Sequence, residues 1–519
     1  MAAVLAALLT ASASPTTFSQ IAGNSPRSGS LPTLGDNLEL TAGAERRIGE
    51  RIATSIYRDR DYIDDAVLED YVQTIWQPLM AAARARGELS AELDERFAWE
   101  IFLIRDRSIN AFALPGGYFG LHLGLISAVS SRDELAAVMG HELSHVTQRH
   151  ISRLMTQQSK QTPWMIAAMI IGALAASKSP QIGEAAMMGG QALAVQSQLN
   201  FSRDMEREAD RVGFGVMADA GFDSRGVSSM FEKLQQASRI NDNGSFPYLR
   251  SHPLTTERIA EAQSRLQLSP PSGGTSAADA TQLRLVHAMM AARARVLADP
   301  GVDILRTLIA EAQRQDSAAP AVQPPLTADI RRAGALYAGA LAAARFRDFA
   351  LARNFAEKAR ALAIGTPAAR TAQLLALEIE VMAGTASSLA SGIDISKTVT
   401  RADLLIQAKA LLAAGRAKDV SDKLQTWVTA HPRDALAWQT LAVAYGNQNQ
   451  NVRAIRADAE ARAAQLDYTA ALDRFKAAQI MMRQSPGSAD FMDGSIIDVR
   501  TRQMESLVRE QALQDKLDR

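Results

Sequence analysis

The sequence predicts an α+β domain, mostly helical with a small sheet, followed by an all-α array of helical repeats. Three observations carry this expectation. A metal-ligand pattern lies inside a helix at 141–145, apolar runs at 97–104 and 110–114 read as strands, and a 34-residue helical pattern recurs beyond a Pro/Gly/Ser-rich stretch. The chain has 519 residues, of which 47% are hydrophobic, with a mean hydropathy of -0.08. That is long enough for two or three domains with cores of their own. The 56 basic and 56 acidic residues cancel, which argues against a nucleic-acid binder and its basic face. The absence of Cys excludes disulfides and cysteine catalysis, and suits an oxidising compartment.

At the start, residues 1–13 carry an apolar run closed by Ala11-Ser12-Ala13, which resembles a signal-peptide cleavage site. The usual positive n-region is missing, so a misassigned start is one expectation and an Ala-rich tail is the other. Residues 14–35, rich in Ser, Thr, Gly and Pro, read as a disordered lead-in. Residues 36–267 form the expected α+β domain.

Its central helix starts at a capping box, Ser131-Arg132-Asp133-Glu134, in which Ser131 caps a free N–H and Glu134 reaches back. Leu135, Val138, Met139, Leu143 and Val146 then recur at helical spacing. Gly140 costs helix stability but admits another backbone or a substrate. His141-Glu142-Leu143-Ser144-His145 places two imidazoles four residues apart on one face, as two zinc ligands require, with Glu142 beside them to take a proton from water. A third protein ligand is needed. Glu206 and Asp210 share one face of a second helix. There Glu206 can ligate and Asp210 can accept the outer N–H of a ligating His. Glu208 is the alternative ligand, although its spacing to Asp210 turns the two side chains apart. An exposed helix with Glu/Arg pairs is the competing interpretation of this acidic-basic run.

H-E-x-x-H followed by R-x-x-E-x-E-A-D resembles the gluzincin family of zinc peptidases that contains the HtpX heat-shock protease, the CAAX prenyl endopeptidase and mitochondrial Oma. Asn110 to Tyr118 is similar to the strand and turn before that family's zinc helix. Leu40 to Tyr57 is similar to its leading helix, and Ser251-His252-Pro253-Leu254-Thr255-Thr256-Glu257-Arg258-Ile259 to its closing element. The likeness runs from about residue 35 to 265. It implies one zinc ion per chain held by His141, His145 and Glu206, with Asp210 as the partner of a ligand and Glu142 as the base. It also places His252 near the metal, as an oxyanion donor or as a fourth ligand. Without the resemblance, His252 reads as a loop residue capping the helix that begins near Thr255. Asn110, Ala111, Phe112 and Ala113 are expected to form an open edge on which an extended substrate adds as a strand.

Trp164–Ala176 is apolar for thirteen residues, short of the roughly twenty that a spanning helix needs, and Ala185–Val195 follows it. The stretch 164–195 reads as a buried helical hairpin, or as an apolar flap over the site or against a membrane surface. The integral-membrane branches of the family differ from this chain here.

Residues 268–279 read as a linker, through Pro270, Pro271, Gly273 and Gly274. Beyond it, 280–519 is expected to be a tetratricopeptide-like solenoid. Ala437 to Tyr445 fits the W-x-x-L-A-x-x-Y helix, with Ala454 and Ala461 as the small residues of its partner. One period earlier come Leu404, Ala408, Leu411, Gly415, Leu424 and Pro432, and Ala352, Ala356 and Ala359 suggest an earlier, more degenerate copy. Asp458 at an aromatic site and Leu466 at the closing Pro depart from the pattern. Such stacks hold extended peptides or partner proteins on a concave face. A chain ending near Asp279 is expected to stay folded.

A gluzincin with this tail and no spanning helix resembles the periplasmic, outer-membrane branch of the family in Gram-negative bacteria. The resemblance implies a zinc endopeptidase of unfolded or misassembled proteins. The outer-membrane assembly machinery would be its partner through the tail, and nucleic acid would have no role. A chaperone or scaffold with a largely latent peptidase is the alternative expectation.

Overall fold

The computed structural model describes residues 40–157, 202–240, 248–268, 277–317, 325–484 and 491–517. The expected signal peptide at 1–13, the lead-in at 14–35 and the apolar stretch at 164–195 lie outside the described residues, as does most of the linker at 268–279. Among the described residues no helix is long and apolar enough to cross a membrane.

Helix α1 (Ala42–Arg58) begins where the Thr41 hydroxyl accepts the Ala44 N–H, and α2 (Ala66–Ala85) where Asp65 accepts that of Leu68. The short α3 (Ala91–Arg96) follows. Strands β1 (Tyr62–Ile63), β2 (Glu100–Ile104), β3 (Ala111–Leu114) and β4 (Tyr118–His122) form a sheet in the order β1-β2-β4-β3. Only β2 and β4 run parallel. Central β4 is buried at all five residues, while β3 is an edge. The expected strand at 97–104 starts three residues late. Trp99 takes φ +51°, and the N–H groups of Ala98 and Glu100 donate instead to the carbonyls of Gly116 and Gly117 in the β3–β4 turn. That turn needs its glycines. Both have φ near +75°, and a Cβ on Gly116 would stand 2.7 Å from the Arg46 backbone.

After α4 (Leu123–Ala128), helix α5 (Arg132–Thr147) is buried at thirteen of its sixteen residues, as a core helix rather than an amphipathic surface one. Ser131 accepts the Glu134 N–H as expected, but Glu134 reaches back to the N–H of Ser130 and also binds Ser229 and Lys233. The capping box is thus pinned to the later helix that carries Ser229 and Lys233. The elements that follow are α6 (His150–Gln157), α7 (Arg203–Asp219), α8 (Arg225–Ile240), α9 (Tyr248–Ser251) and α10 (Thr256–Leu268). Helices α5 and α7 cross where Gly140 meets Gly213, so the space left by Gly140 admits another backbone.

The remaining helices are α11 (Ala277–Ala298), α12 (Val302–Ser317), α13 (Pro325–Arg345), α14 (Phe349–Ala363) and α15 (Ala368–Ala383). Then come α16 (Arg401–Ala413), α17 (Ala417–Ala430), α18 (Ala435–Asn447), α19 (Asn451–Ala464), α20 (Tyr468–Gln484) and α21 (Phe491–Leu517). Most pack on their neighbours in sequence. Helices α16 and α18 begin at 401 and 435, and α17 and α19 at 417 and 451, so both pairs are offset by 34 residues. The left-handed turn residues Gly415 and Asn449 keep the same offset. Leu466, where a closing Pro is expected, has φ +60°, which a proline ring cannot adopt.

The packing is continuous across the boundary expected near Asp279. Residues 40–519 form one compact unit, and one cluster of buried side chains joins Val72, Ile75 and Leu125 to Met289, Met290 and Leu336. Polar contacts follow the same seam. The Tyr71 hydroxyl lies 2.6 Å from His287 Nδ1, Arg293 binds Asp65 and Glu378, and Arg401 binds Asp64 and Asp434.

Candidate metal centre

Helix α5 presents His141, Glu142 and His145 from a base that packing holds on every side. Helix α7 lies close enough, through the Gly140–Gly213 contact, to bring Glu206 and Asp210 to the same place. His252 arrives from the end of α9, where its N–H donates to the Tyr248 carbonyl and its ring stacks on Tyr248 at 4.6 Å.

The imidazoles converge. His145 Nε2 is 3.0 Å from His141 Nε2, which is 3.3 Å from His252 Nδ1. Glu206 Oε1 lies 2.9 Å from His252 Nδ1 and 3.4 Å from His145 Nε2. One donor atom from each of His141, His145, Glu206 and His252 falls within 4.8 Å of the others, and all four residues are buried. A tetrahedral cation with ligands at about 2.0–2.1 Å needs donors roughly 3.3 Å apart. Three nitrogens and a carboxylate at this spacing suit a zinc-type ion. Both Glu142 oxygens are buried without a side-chain hydrogen bond, while Glu206 Oε2 faces the Arg258 guanidinium. Buried carboxylate oxygens left so are costly, and a nearby cation with its water would satisfy them.

The electrostatics favour positive charge at this point. Burial alone would lower the His141 pKa, but Asp210 and Glu206 raise it to about 10. Burial would raise Glu206, yet His252, His141 and His145 hold it well below the ordinary carboxylate range. Burial pushes Glu142 up, against the pull of His252 and His141. A raised carboxylate is a better proton acceptor once a substrate and its water arrive.

Asp210 Oδ1 accepts from His141 Nδ1 at 3.0 Å, and its two oxygens take a bidentate pair from Arg258 at 2.6 and 2.8 Å. Burial opposes the charge on Asp210, but Arg258 and His141 overcome it and hold the pKa at about 2. Arg258 also lies 2.8 Å from Glu206 Oε2. Glu208 points elsewhere, to His150 Nε2 at 3.0 Å and Arg153 at 2.7 Å. His252 is buried, with Nδ1 toward the other donors and Nε2 3.4 Å from Glu142 Oε1, and is not an exposed loop residue.

Strand β3 pairs with β4 on one side, and no other strand covers it among the described residues. The main chain of Ala113 faces Glu142, so this edge runs beside the centre. Ala111, Phe112 and Ala113 belong to the strand. Asn110 precedes it, with its carbonyl accepting the His122 N–H and its Oδ1 buried without a partner.

Sequence reasoning missed three residues that build this centre. Arg258 sits in the matched closing element, and that match was the available signal. His150, five residues after His145, is turned inward by Arg149 at φ +55°, which no pattern announces. Tyr248 carries no motif.

Residues 68–266 match the model of peptidase family M48. The chain is 37% identical over 243 residues to the putative beta-barrel assembly-enhancing protease of Vibrio cholerae, and 32% identical over 243 residues to the beta-barrel assembly-enhancing protease of Escherichia coli K12. Both matches cover 46% of this chain and 48% of the relative, so the aligned region spans about half the length of these curated relatives. Over 195 residues it is 28% identical to the mitochondrial metalloendopeptidase OMA1 of Arabidopsis thaliana, covering 38% of this chain and 36% of that one.

Proposed function

We propose that the chain is a zinc-dependent endopeptidase of unfolded or stalled proteins, a reading supported by the match of residues 68–266 to the model of peptidase family M48. The proposed setting is the periplasm of a Gram-negative bacterium, in outer-membrane protein assembly and quality control. The names and sources of the Vibrio and Escherichia relatives support this setting. The helical hairpins offset by 34 residues support a tetratricopeptide-like module that receives substrates or assembly partners.

The observation that carries the catalytic reading is Glu142: buried, without a side-chain hydrogen bond on either oxygen, beside four convergent donors. A structural metal site has no use for such a group. His141, His145 and Glu206 would hold the ion, and zinc in that setting lowers the pKa of a bound water and polarises the scissile carbonyl. Glu142 takes the proton of the attacking water and delivers it to the nitrogen of the leaving amine. Asp210, itself fixed by Arg258, keeps the outer N–H of His141 occupied and its ring oriented. The β3 edge holds the substrate backbone in extended form, which tolerates many sequences and excludes folded chains.

His252 Nδ1 stands among the donors, which supports the fourth-ligand role over the oxyanion role. His252 at this place and the burial of every donor support a latent arrangement of the centre. That favours, as a second reading, a protein whose assembly function does not need cleavage. Zinc content and proteolysis of an unfolded substrate, wild type against Glu142→Gln, test both readings. Loss of cleavage with zinc retained supports the peptidase, and undiminished cleavage by pure Glu142→Gln overturns it. If the variant also restores outer-membrane assembly in cells lacking the wild type, the second reading holds beside the first.

A further inference from the structure

We infer that His150 and Glu208 are positioning residues that fix the tautomer and ring orientation of His145, and so set the metal affinity of the centre without touching the ion. The inference rests on the ligand role proposed above for His145.

The argument is a count of protons. His145 Nε2 lies inside the donor cluster, 3.0 Å from His141 Nε2 and 3.4 Å from Glu206 Oε1. To ligate there it must offer a lone pair, so the ring proton sits on Nδ1. His145 Nδ1 faces His150 Nδ1 at 2.9 Å. Two N–H groups cannot face each other at that distance, so His150 Nδ1 accepts and its own proton moves to Nε2. That nitrogen lies 3.0 Å from Glu208 Oε2, an ionised carboxylate that can only accept. Each group has one role, and the three roles agree. Were His150 to carry its proton on Nδ1, an N–H would oppose an N–H at one end and a lone pair would oppose a carboxylate at the other. Glu208, as the acceptor for His150 Nε2, therefore selects the His145 tautomer from two hydrogen bonds away.

Helix α7 thus serves both ligating histidines from opposite sides of its axis. His141 donates directly to Asp210, whereas His145 donates through the ring of His150 to Glu208. The difference follows from position. His145 is fully buried near the end of α5 with its Nδ1 facing a ring rather than a carboxylate, and the left-handed Arg149 lets α6 start with His150 folded back toward it. Arg153 holds Glu208 from the solvent side but belongs to neither hydrogen bond of the chain.

Zinc affinity of the full-length protein, measured by chelator competition, tests this. Glu208→Leu and His150→Leu should bind zinc roughly ten- to a hundredfold more weakly. Glu208→Gln keeps an acceptor for His150 Nε2, and His150→Asn keeps one for His145 Nδ1, so both should recover affinity to within about threefold of wild type. Arg153→Met should bind as wild type does. Glu208 is part-exposed, so its variants should match wild type in thermal midpoint once stripped of metal, which separates positioning from folding even if His150→Leu fails to fold. Wild-type affinity in Glu208→Leu would overturn the inference, as would equal losses in the Leu and Gln variants. His145→Ala distinguishes the two levels: if it keeps zinc, the ligand reading itself fails, and if it loses zinc while Glu208→Leu keeps it, only the positioning role falls.

Discussion

Gly140 and Gly213 touch backbone to backbone: a Cβ on Gly213 would stand 3.0 Å from the carbonyl carbon and oxygen of Gly140. This contact sets the separation of α5 and α7, and hence the distance from His141 and His145 to Glu206. Gly213→Ala should force the helices apart and cost about 1–3 kcal/mol of stability, with weaker zinc binding. Gly140→Ala meets the Gly213 carbonyl oxygen at 3.3 Å and should be milder. Thermal midpoints and zinc titrations of the two variants check this order, and a Gly213→Ala protein with unchanged zinc affinity would contradict it.

His252→Ala removes one of four donors and leaves three, which suffices to retain zinc. Basal proteolysis, including self-cleavage, should rise. A drop of a hundredfold or more with zinc retained would identify His252 as a transition-state donor instead. Rates within twofold of wild type would sink both roles.

A chain ending at Asp279 should aggregate or lose its cooperative unfolding transition. Truncation uncovers the side of Val72, Ile75 and Leu125 that packs within the shared core, and strips Tyr71 and Asp65 of His287 and Arg293. Size-exclusion chromatography and calorimetry of the truncated protein decide it. A soluble monomer with full zinc content would show that the first 279 residues suffice.

The same seam has a pH response. Burial holds the His287 imidazole below its ordinary pKa, with Nδ1 facing Tyr71 and Nε2 donating to the Val129 carbonyl. Because the folded value is depressed, the contribution is complete above the unfolded pKa of about 6.5 and is lost as pH falls below it toward the folded value. His287→Leu should be less stable than wild type at pH 8, yet lose less of its thermal midpoint between pH 8 and pH 5. Parallel slopes for the two proteins would exclude His287 as a source of acid sensitivity.

The sequence made the centre legible because the chemistry is local. His141 and His145 need only helical spacing to share a face, as do Glu206 and Asp210. The small sheet was legible in outline, but Trp99 shortened β2 through a backbone conformation that hydrophobicity does not encode. His150 and Arg258 were hidden for a related reason. Each acts through a partner 48 to 58 residues away, and neither advertises that partner in its own neighbourhood. The shared core escaped because a Pro/Gly/Ser-rich stretch reports a break in secondary structure, whereas continuity of packing depends on which apolar faces meet.

Consecutive acids Asp64 and Asp65, just ahead of α2, grip Arg401 and Arg293 from two different helices of the array, and Arg293 is buried as it does so. Two rigid attachments on adjacent residues leave the array no hinge at that point. On the function proposed above, whatever binds along it would be presented at a set span from His141 and His145. The protein would then gauge its clients as a ruler does, cutting or sparing a bound chain according to how far its loose end reaches.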